Sequence, residues 1–155
     1  MKKTIFAMVM FLVACTITNS PNSDSVPGIP IPLAEMNAQI VLRKSPGMVD
    51  IYNAIGTIDL YIENLSDSPV SFSPDYGSKI LIKREGEWEE VDNDFDYSVS
   101  GVILPTKSQY PPGLDLSVKP ILTQTERPIT LRIVVVGVMV NIGESVGAYL
   151  DVILE

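Results

Sequence analysis

The chain of 155 residues contains no histidine and a single cysteine, Cys15. Without histidine it cannot form a Ser-His-Asp or Cys-His catalytic pair, or a histidine-based zinc or iron site. One cysteine can form neither an internal disulfide nor a multi-thiolate metal site. Basic residues are also few, with 11 Lys and Arg against 19 Asp and Glu and a net charge of −8. Because polyanion binding needs clustered Lys and Arg, we expect no nucleic-acid partner, and the composition indicates no cofactor.

The first fifteen residues have the layout of an export signal. Met1-Lys2-Lys3 is a short basic start, and residues 5–14 (IFAMVMFLVA) form an uninterrupted apolar run. A membrane-spanning helix needs about 20 such residues, whereas a secretory signal has an apolar core of about 7–15. Leu12-Val13-Ala14-Cys15 resembles the lipobox of bacterial lipoproteins. The resemblance implies cleavage between Ala14 and Cys15, a diacylglycerol thioether on Cys15 and, in many species, acylation of the new amine.

This resemblance predicts an extracytoplasmic protein, held by its lipid at the cell membrane or the outer membrane of a bacterium. Two or three acyl chains anchor a protein stably, whereas one holds it only marginally. Residues 1–14 would then be the cleaved signal peptide, 15–34 the lipidated cysteine with a flexible Pro/Ser-rich tether, and 35–155 the domain. The alternative is an ordinary signal peptide that is cut later, at Thr18-Asn19-Ser20, with Cys15 incidental.

The tether has a composition that cannot bury a core. Residues 16–33 (TITNSPNSDSVPGIPIPL) are rich in Ser, Asn, Pro and Gly, and such segments stay extended. Its second half also contains apolar side chains, which indicate that the end of the tether packs onto the domain: Val26, Ile29, Ile31 and Leu33.

From about residue 35 the hydrophobic pattern has period two, as in Thr57-Ile58-Asp59-Leu60-Tyr61-Ile62-Glu63. No stretch shows helical periodicity, and twelve Pro and ten Gly interrupt the chain. Strands are predicted at 39–43, 49–53, 57–63, 70–72, 79–84, 88–91, 99–104, 114–118, 129–140 and 147–154. These ten candidate segments, separated by frequent turns, favour one all-β domain, an antiparallel β-sandwich of about seven to nine strands without a disulfide.

Three features of this layout resemble immunoglobulin-like domains of bacterial surface proteins. They are residues 58–70 (IDLYIENLSDSPV), the Gly86-Glu87-Trp88 hairpin, and the closing strands ITLRIVVVG and GAYLDVIL. The Asn-x-Ser-Asp-x-Pro-Val pattern is also similar to small secreted inhibitor-like sandwiches. The resemblance implies an immunoglobulin-like fold and no particular site.

Residues 129–140 contain too many valines for a strand with one wet face. If Leu131, Ile133 and Val135 face the core, the alternate valines face outward, where exposed apolar side chains would form a patch that tends to associate with other surfaces. We expect residues 29–33 of the tether, or a partner chain, to cover these valines, which are Val134, Val136 and Val138. The alternative is a strand that bends at Gly137 and changes face.

Two groups of residues are candidate binding sites. Residues 85–96 are strongly acidic, and Asp92, Asp94 and Asp96 have the carboxylate spacing that opens a calcium loop. Tyr97 and Ile103 occupy the positions where an EF-hand has glycine and glutamate, so only a looser calcium site, or a solvated acidic loop, is left. Aromatic side chains near predicted turns could present a surface to a glycan or protein partner, or simply pack: Tyr76, Trp88, Tyr97 and Tyr110.

The sequence therefore favours a non-enzymatic, membrane-anchored binding or scaffolding module at the bacterial surface or envelope. One alternative is an inhibitor-like sandwich that inserts a loop, 73–78 or 105–113, into a protease. The other is a carboxylate hydrolase with two acids facing each other across a cleft.

Overall fold

The computed structural model describes residues 26–46, 52, 56–97, 100–107, 113–123 and 127–155. The described part begins with a short 3-10 helix, Leu33–Glu35, and continues with nine strands. These are β1 (Ile40–Lys44), β2 (Ile58–Asn64), β3 (Val70–Phe72), β4 (Lys79–Arg84), β5 (Glu87–Val91), β6 (Val102–Leu104), β7 (Gly113–Val118), β8 (Ile129–Met139) and β9 (Ser145–Leu154).

The strands form two antiparallel sheets. The small sheet has the order β1-β2-β7, and the large sheet has the order β5-β4-β8-β3-β6, with β9 also paired to β8. Strand β8 organises the large sheet because it pairs with β9 along its whole length on one edge. Its other edge is shared: the first half pairs with β4 and the second half with β3.

The core lies between the two sheets and follows the period-two pattern. Ile58, Leu60 and Ile62 of β2 are buried against Leu131 and Ile133 of β8 in one cluster that both sheets supply. Their polar neighbours alternate outward, as a strand with one buried face requires. The predicted fold class, an all-β immunoglobulin-like antiparallel sandwich, is confirmed.

Most strands lie within a few residues of their predicted bounds. Strand β6 begins at Val102 rather than at residue 99, and β9 begins two residues before its predicted start. The predicted strand 49–53 lies outside the described residues except for Tyr52, which forms an isolated bridge with Ile58. The signal, Cys15 and the first part of the tether also lie outside them. Among the described residues, no helix is long and apolar enough to cross a bilayer.

Candidate functional site

The segment of residues 26–36, which we call the strap, lies on the outer face of the large sheet. Val26, Ile31 and Met36 are buried in a second apolar cluster together with Leu81 and Val134. This cluster is separate from the core between the sheets. The predicted packing of the tether's end onto the domain is confirmed, and the strap is what covers Val134.

Strand β8 keeps its alternation past Gly137. A Cβ built on Gly137 would meet Val70 Cγ1 at 2.6 Å, so this residue faces the core between the sheets. Val134 and Val136 pack under the strap on the other face, and Val138 is exposed. The alternative interpretation, a strand that changes face at Gly137, is therefore wrong.

The strap can lie close to the sheet because Gly147, beneath it, has no side chain. A Cβ on Gly147 of β9 would lie 3.2 Å from Ile31 Cδ1 and 3.5 Å from Met36 Cε, so a larger residue would push the strap away. Asn37 directly follows the strap, and its backbone N–H donates to Gly147 O at 3.0 Å. The Asn37 side chain in turn accepts from the Tyr149 N–H at 2.9 Å. These two bonds fix where the chain leaves the face and enters β1.

Trp88 lies on this outer face, beside the strap, as part of a stacked arrangement. The Arg132 guanidinium lies 4.3 Å from the Trp88 ring centroid and 4.6 Å from that of Tyr149. It also donates twice to Asp151, at 2.7 and 2.8 Å. The hydrogen bond to Asp151 raises the pKa of Arg132. Because Lys83 also approaches the Trp88 ring, at 5.7 Å, the indole packs with cations of its own chain.

Tyr76 and Tyr97 are brought together at one end of the core. Their ring centroids are 6.1 Å apart, and Phe72 and Phe95 extend the contact on either side. Burial raises the pKa of both tyrosines. The Tyr97 hydroxyl donates to Ser117 O at 3.1 Å. Trp88 belongs to the other cluster, and Tyr110 lies outside the described residues, so the described aromatic candidates do not share one surface.

The last part of the acidic segment is tied to the end of β7. Asn93 accepts from the Lys119 N–H at 2.8 Å, and Asp94 forms an ion pair with Lys119 at 2.6 Å. Asp92, Asp94 and Asp96 are exposed, and the residues between them are half-buried. In a calcium site the oxygen ligands surround one central point. Within the described ranges, no group of three such side chains converges.

The described loops give little support to the two alternative functions, which are a protease inhibitor and a carboxylate hydrolase. Residues 73–78 form a turn held against β8, because Tyr76 is buried and its carbonyl accepts from the Val136 N–H at 3.1 Å. The other candidate loop is described only to residue 107. The acids of the β4–β5 hairpin, Glu85, Glu87 and Glu89, are exposed, whereas a general acid needs a shielded carboxyl.

A buried polar network at the end of β2 was not predicted from the sequence. Asn64 is on the core side of the strand and only 1% exposed. Its amide group donates to Ser68 O and Pro105 O, both at 2.8 Å. Its side-chain oxygen accepts from the Ser66 N–H at 2.8 Å and from the Ser66 hydroxyl at 2.7 Å. The network joins the turn before β3 to the end of β6; the signal in the sequence was an asparagine that continues the apolar alternation.

The comparisons with known proteins give structural likenesses only. No family model and no curated protein matches the chain. Among solved structures, it is similar to the archaellum periplasmic stator protein FlaG from Sulfolobus acidocaldarius, with 14% identity and a TM-score of 0.36. That match covers 72% of this chain and 98% of the other. A complex of FlaF and FlaG from the same organism matches at 13% identity and a TM-score of 0.33, covering 81% and 100%. At these values the likenesses carry no functional argument.

Proposed function

We propose that the protein is an exported lipoprotein whose β-sandwich serves as a non-catalytic binding or scaffolding module at the outer surface of a membrane. The observation that carries this proposal is the order of parts at the N-terminus: a basic start, ten apolar residues, and Leu12-Val13-Ala14-Cys15. A cysteine at this place is the thiol that lipidation requires. Among the residues that the structure describes, the acids of the β4–β5 hairpin are exposed and lack the burial that acid catalysis needs.

The position of the strap supports an anchored role because it sets the reach of the tether. The chain is already fixed to the sheet at Val26, so only the residues between Cys15 and Val26 separate a lipid from the domain. At about 3.3–3.6 Å per residue, this stretch spans at most roughly 40 Å, and as a flexible chain about 20 Å. A lipid on Cys15 would therefore hold the sandwich close to the bilayer. Cleavage before Cys15 removes Lys2 and Lys3, so nine basic residues oppose nineteen acidic ones, and the net charge of −10 would keep the surface of the domain off anionic headgroups.

Mass spectrometry of the chain produced in a bacterium tests the anchor. The N-terminal peptide of the mature protein should begin at Cys15 and carry a diacylglycerol group, and the protein should fractionate with membranes. Cys15→Ser should abolish the added mass and the membrane association. Thr16→Ser is the matched control, since it changes the next residue and leaves the thiol. A mature chain that begins downstream of Cys15 and lacks lipid would favour the ordinary signal peptide and overturn the proposal.

A further inference from the structure

The apolar surface under the strap continues beyond it. Along the outer face of β8, Val134 is buried by the strap, whereas Val138 is 42% exposed; Val140, in the turn just after the strand, is 50% exposed. Ser71 of β3 lies in register with both Val138 and Ile103, and Ile103 of β6 is 62% exposed. Since neighbouring strands are about 4.8 Å apart, Val138 and Ile103 lie about 10 Å from each other on one face. They form an exposed apolar row with a small side chain between them.

A groove of about 480 Å³ adjoins this row. It lies between the 3-10 helix at the end of the strap and the turn that joins β8 to β9. Ile31, Met139 and Val146 contribute apolar walls, and Ile142 of the turn, 58% exposed, stands at its side. Ser145 also lines the groove and is paired with Val138. The groove and the row are therefore one continuous surface.

The charged side chains of the groove are of one sign. Glu35 of the 3-10 helix and Glu144 of the turn line it, and its lining includes no Lys or Arg. Neither carboxylate forms an ion pair with another residue of the described part of the chain. Apolar walls with two unpaired carboxylates are complementary to an apolar side chain that has a cation next to it. A symmetric contact with a second copy would instead bring these carboxylates together, which disfavours a homodimer.

We propose that this docking surface, defined by Glu35, Ile103, Val138, Ile142 and Glu144, binds a segment of a partner protein that carries apolar residues beside Lys or Arg. The apolar side chain enters the groove, and the cation lies between the two carboxylates. The strap supplies the precedent, since its own Val26, Ile31 and Met36 already occupy the adjoining part of the same face. This inference deepens the binding role proposed above; it does not depend on the lipid.

Selection from a library of random peptides displayed on phage tests the proposal. The full chain, biotinylated at its C-terminus and kept in mild detergent, is the target. Enriched peptides should combine Leu, Ile, Val or Phe with Lys or Arg. One enriched peptide is then synthesised, and its Kd is measured by fluorescence anisotropy. Ile103→Asp should raise the Kd by about tenfold or more, the loss typical of a contact that matters in an interface.

Ile153→Asp is the matched control, because Ile153 is also 62% exposed on a strand of the same sheet. It pairs with Thr130 at the far end of β8 and should leave the Kd unchanged. The double variant Glu35→Gln, Glu144→Gln should weaken binding without disturbing the fold, since both side chains are exposed. Added salt should weaken the parent and leave the double variant nearly unchanged.

Three outcomes would overturn the proposal. They are enriched peptides without basic residues, a Kd that Ile103→Asp does not change, and a dimer in analytical ultracentrifugation that Ile103→Asp dissociates. Cys15→Ser should bind the peptide as the parent does. A parent protein that carries no lipid on Cys15 but binds the peptide would thus contradict the anchor alone, and a lipidated parent that binds no peptide would contradict the docking surface alone.

Discussion

Replacing Asn64 with alanine should lower the free energy of unfolding by about 3 kcal/mol. The side chain makes four hydrogen bonds at the corner between β2, β3 and β6, and all of its partners belong to the turn 66–68 or to Pro105. A typical hydrogen bond contributes about 1 kcal/mol net, and a buried group left without a partner costs about 1–3 kcal/mol. Four bonds would suggest about 4 kcal/mol. The loss is smaller because the single proton of the Ser66 hydroxyl can turn to Ser68 O, at 2.9 Å, once the Asn64 oxygen is gone, so the hydroxyl is not left without an acceptor.

Urea unfolding followed by the fluorescence of Trp88, the one tryptophan of the chain, measures this loss. For a domain of this size it corresponds to a midpoint of thermal unfolding lower by about 10 °C. Asn141→Ala is the control, because Asn141 is exposed in the turn after β8 and should change stability by less than about 0.5 kcal/mol. A loss below about 1 kcal/mol for Asn64→Ala would refute the reasoning, since the four groups would then have found other partners.

Three further predictions concern the outer face and the turn 73–78. Ile31→Asp should detach the strap, because burying the new carboxylate would cost more than losing the packing of the strap. Hydrogen exchange should then rise in residues 26–36 while β8 and β9 stay protected. Equal loss of protection throughout would contradict two separate clusters. Arg132→Lys should cost about 1–2 kcal/mol in urea unfolding because lysine loses both the paired hydrogen bonds and the stacking, whereas Arg43→Lys, in a mostly exposed ion pair, should cost almost nothing. The Ser73 hydroxyl holds the pKa of Asp75 below its ordinary value of 3.8. The ionised Asp75 carboxylate therefore contributes its full stabilisation above pH 3.8, and this stabilisation is lost as the pH falls through the lower pKa of the folded state. Asp75→Asn should flatten the decline of stability in acid, and an unchanged decline would contradict this.

The fold was predictable because its signal is local and repeated. The alternation of Ile58, Leu60 and Ile62 specifies a strand with one buried face, and the runs of Ser, Asn, Pro and Gly specify the turns between strands. The excess of valine in β8 was informative in the same way, because a face that is too apolar for water requires a cover. Ile29, Ile31 and Leu33 of the tether are part of that cover.

The candidate sites were harder to predict because they depend on contacts between residues far apart in the sequence. Nothing near Trp88 in the sequence indicates that Arg132 and Tyr149 stack with it from two other strands. The carboxylates Glu35 and Glu144 lie in unremarkable sequence contexts and line one groove because Asn37 fastens the end of the strap to β9. Asn64 occupies a core position of a strand, where polarity signals a network, but its partners at Ser68 and Pro105 are visible only in three dimensions.

The strap connects the two proposed properties of the protein. Its first residues lie near the start of β4, where a Cβ on Gly28 would be 3.4 Å from Lys79 Nζ, and its last residues lie on β9. A tether would therefore join the sandwich at the β4 side of the sheet, while the groove lies at the opposite end of the strap. A partner seated in the groove would contact the strap through Glu35 and would favour its packed state over a detached one. Because binding and packing are linked in this way, Ile31→Asp should weaken peptide binding as well as loosen the strap, although Ile31 is buried and outside the exposed row. Peptide affinity that is unchanged in this variant, with the strap shown by hydrogen exchange to be detached, would mean that the groove does not use the strap as a wall.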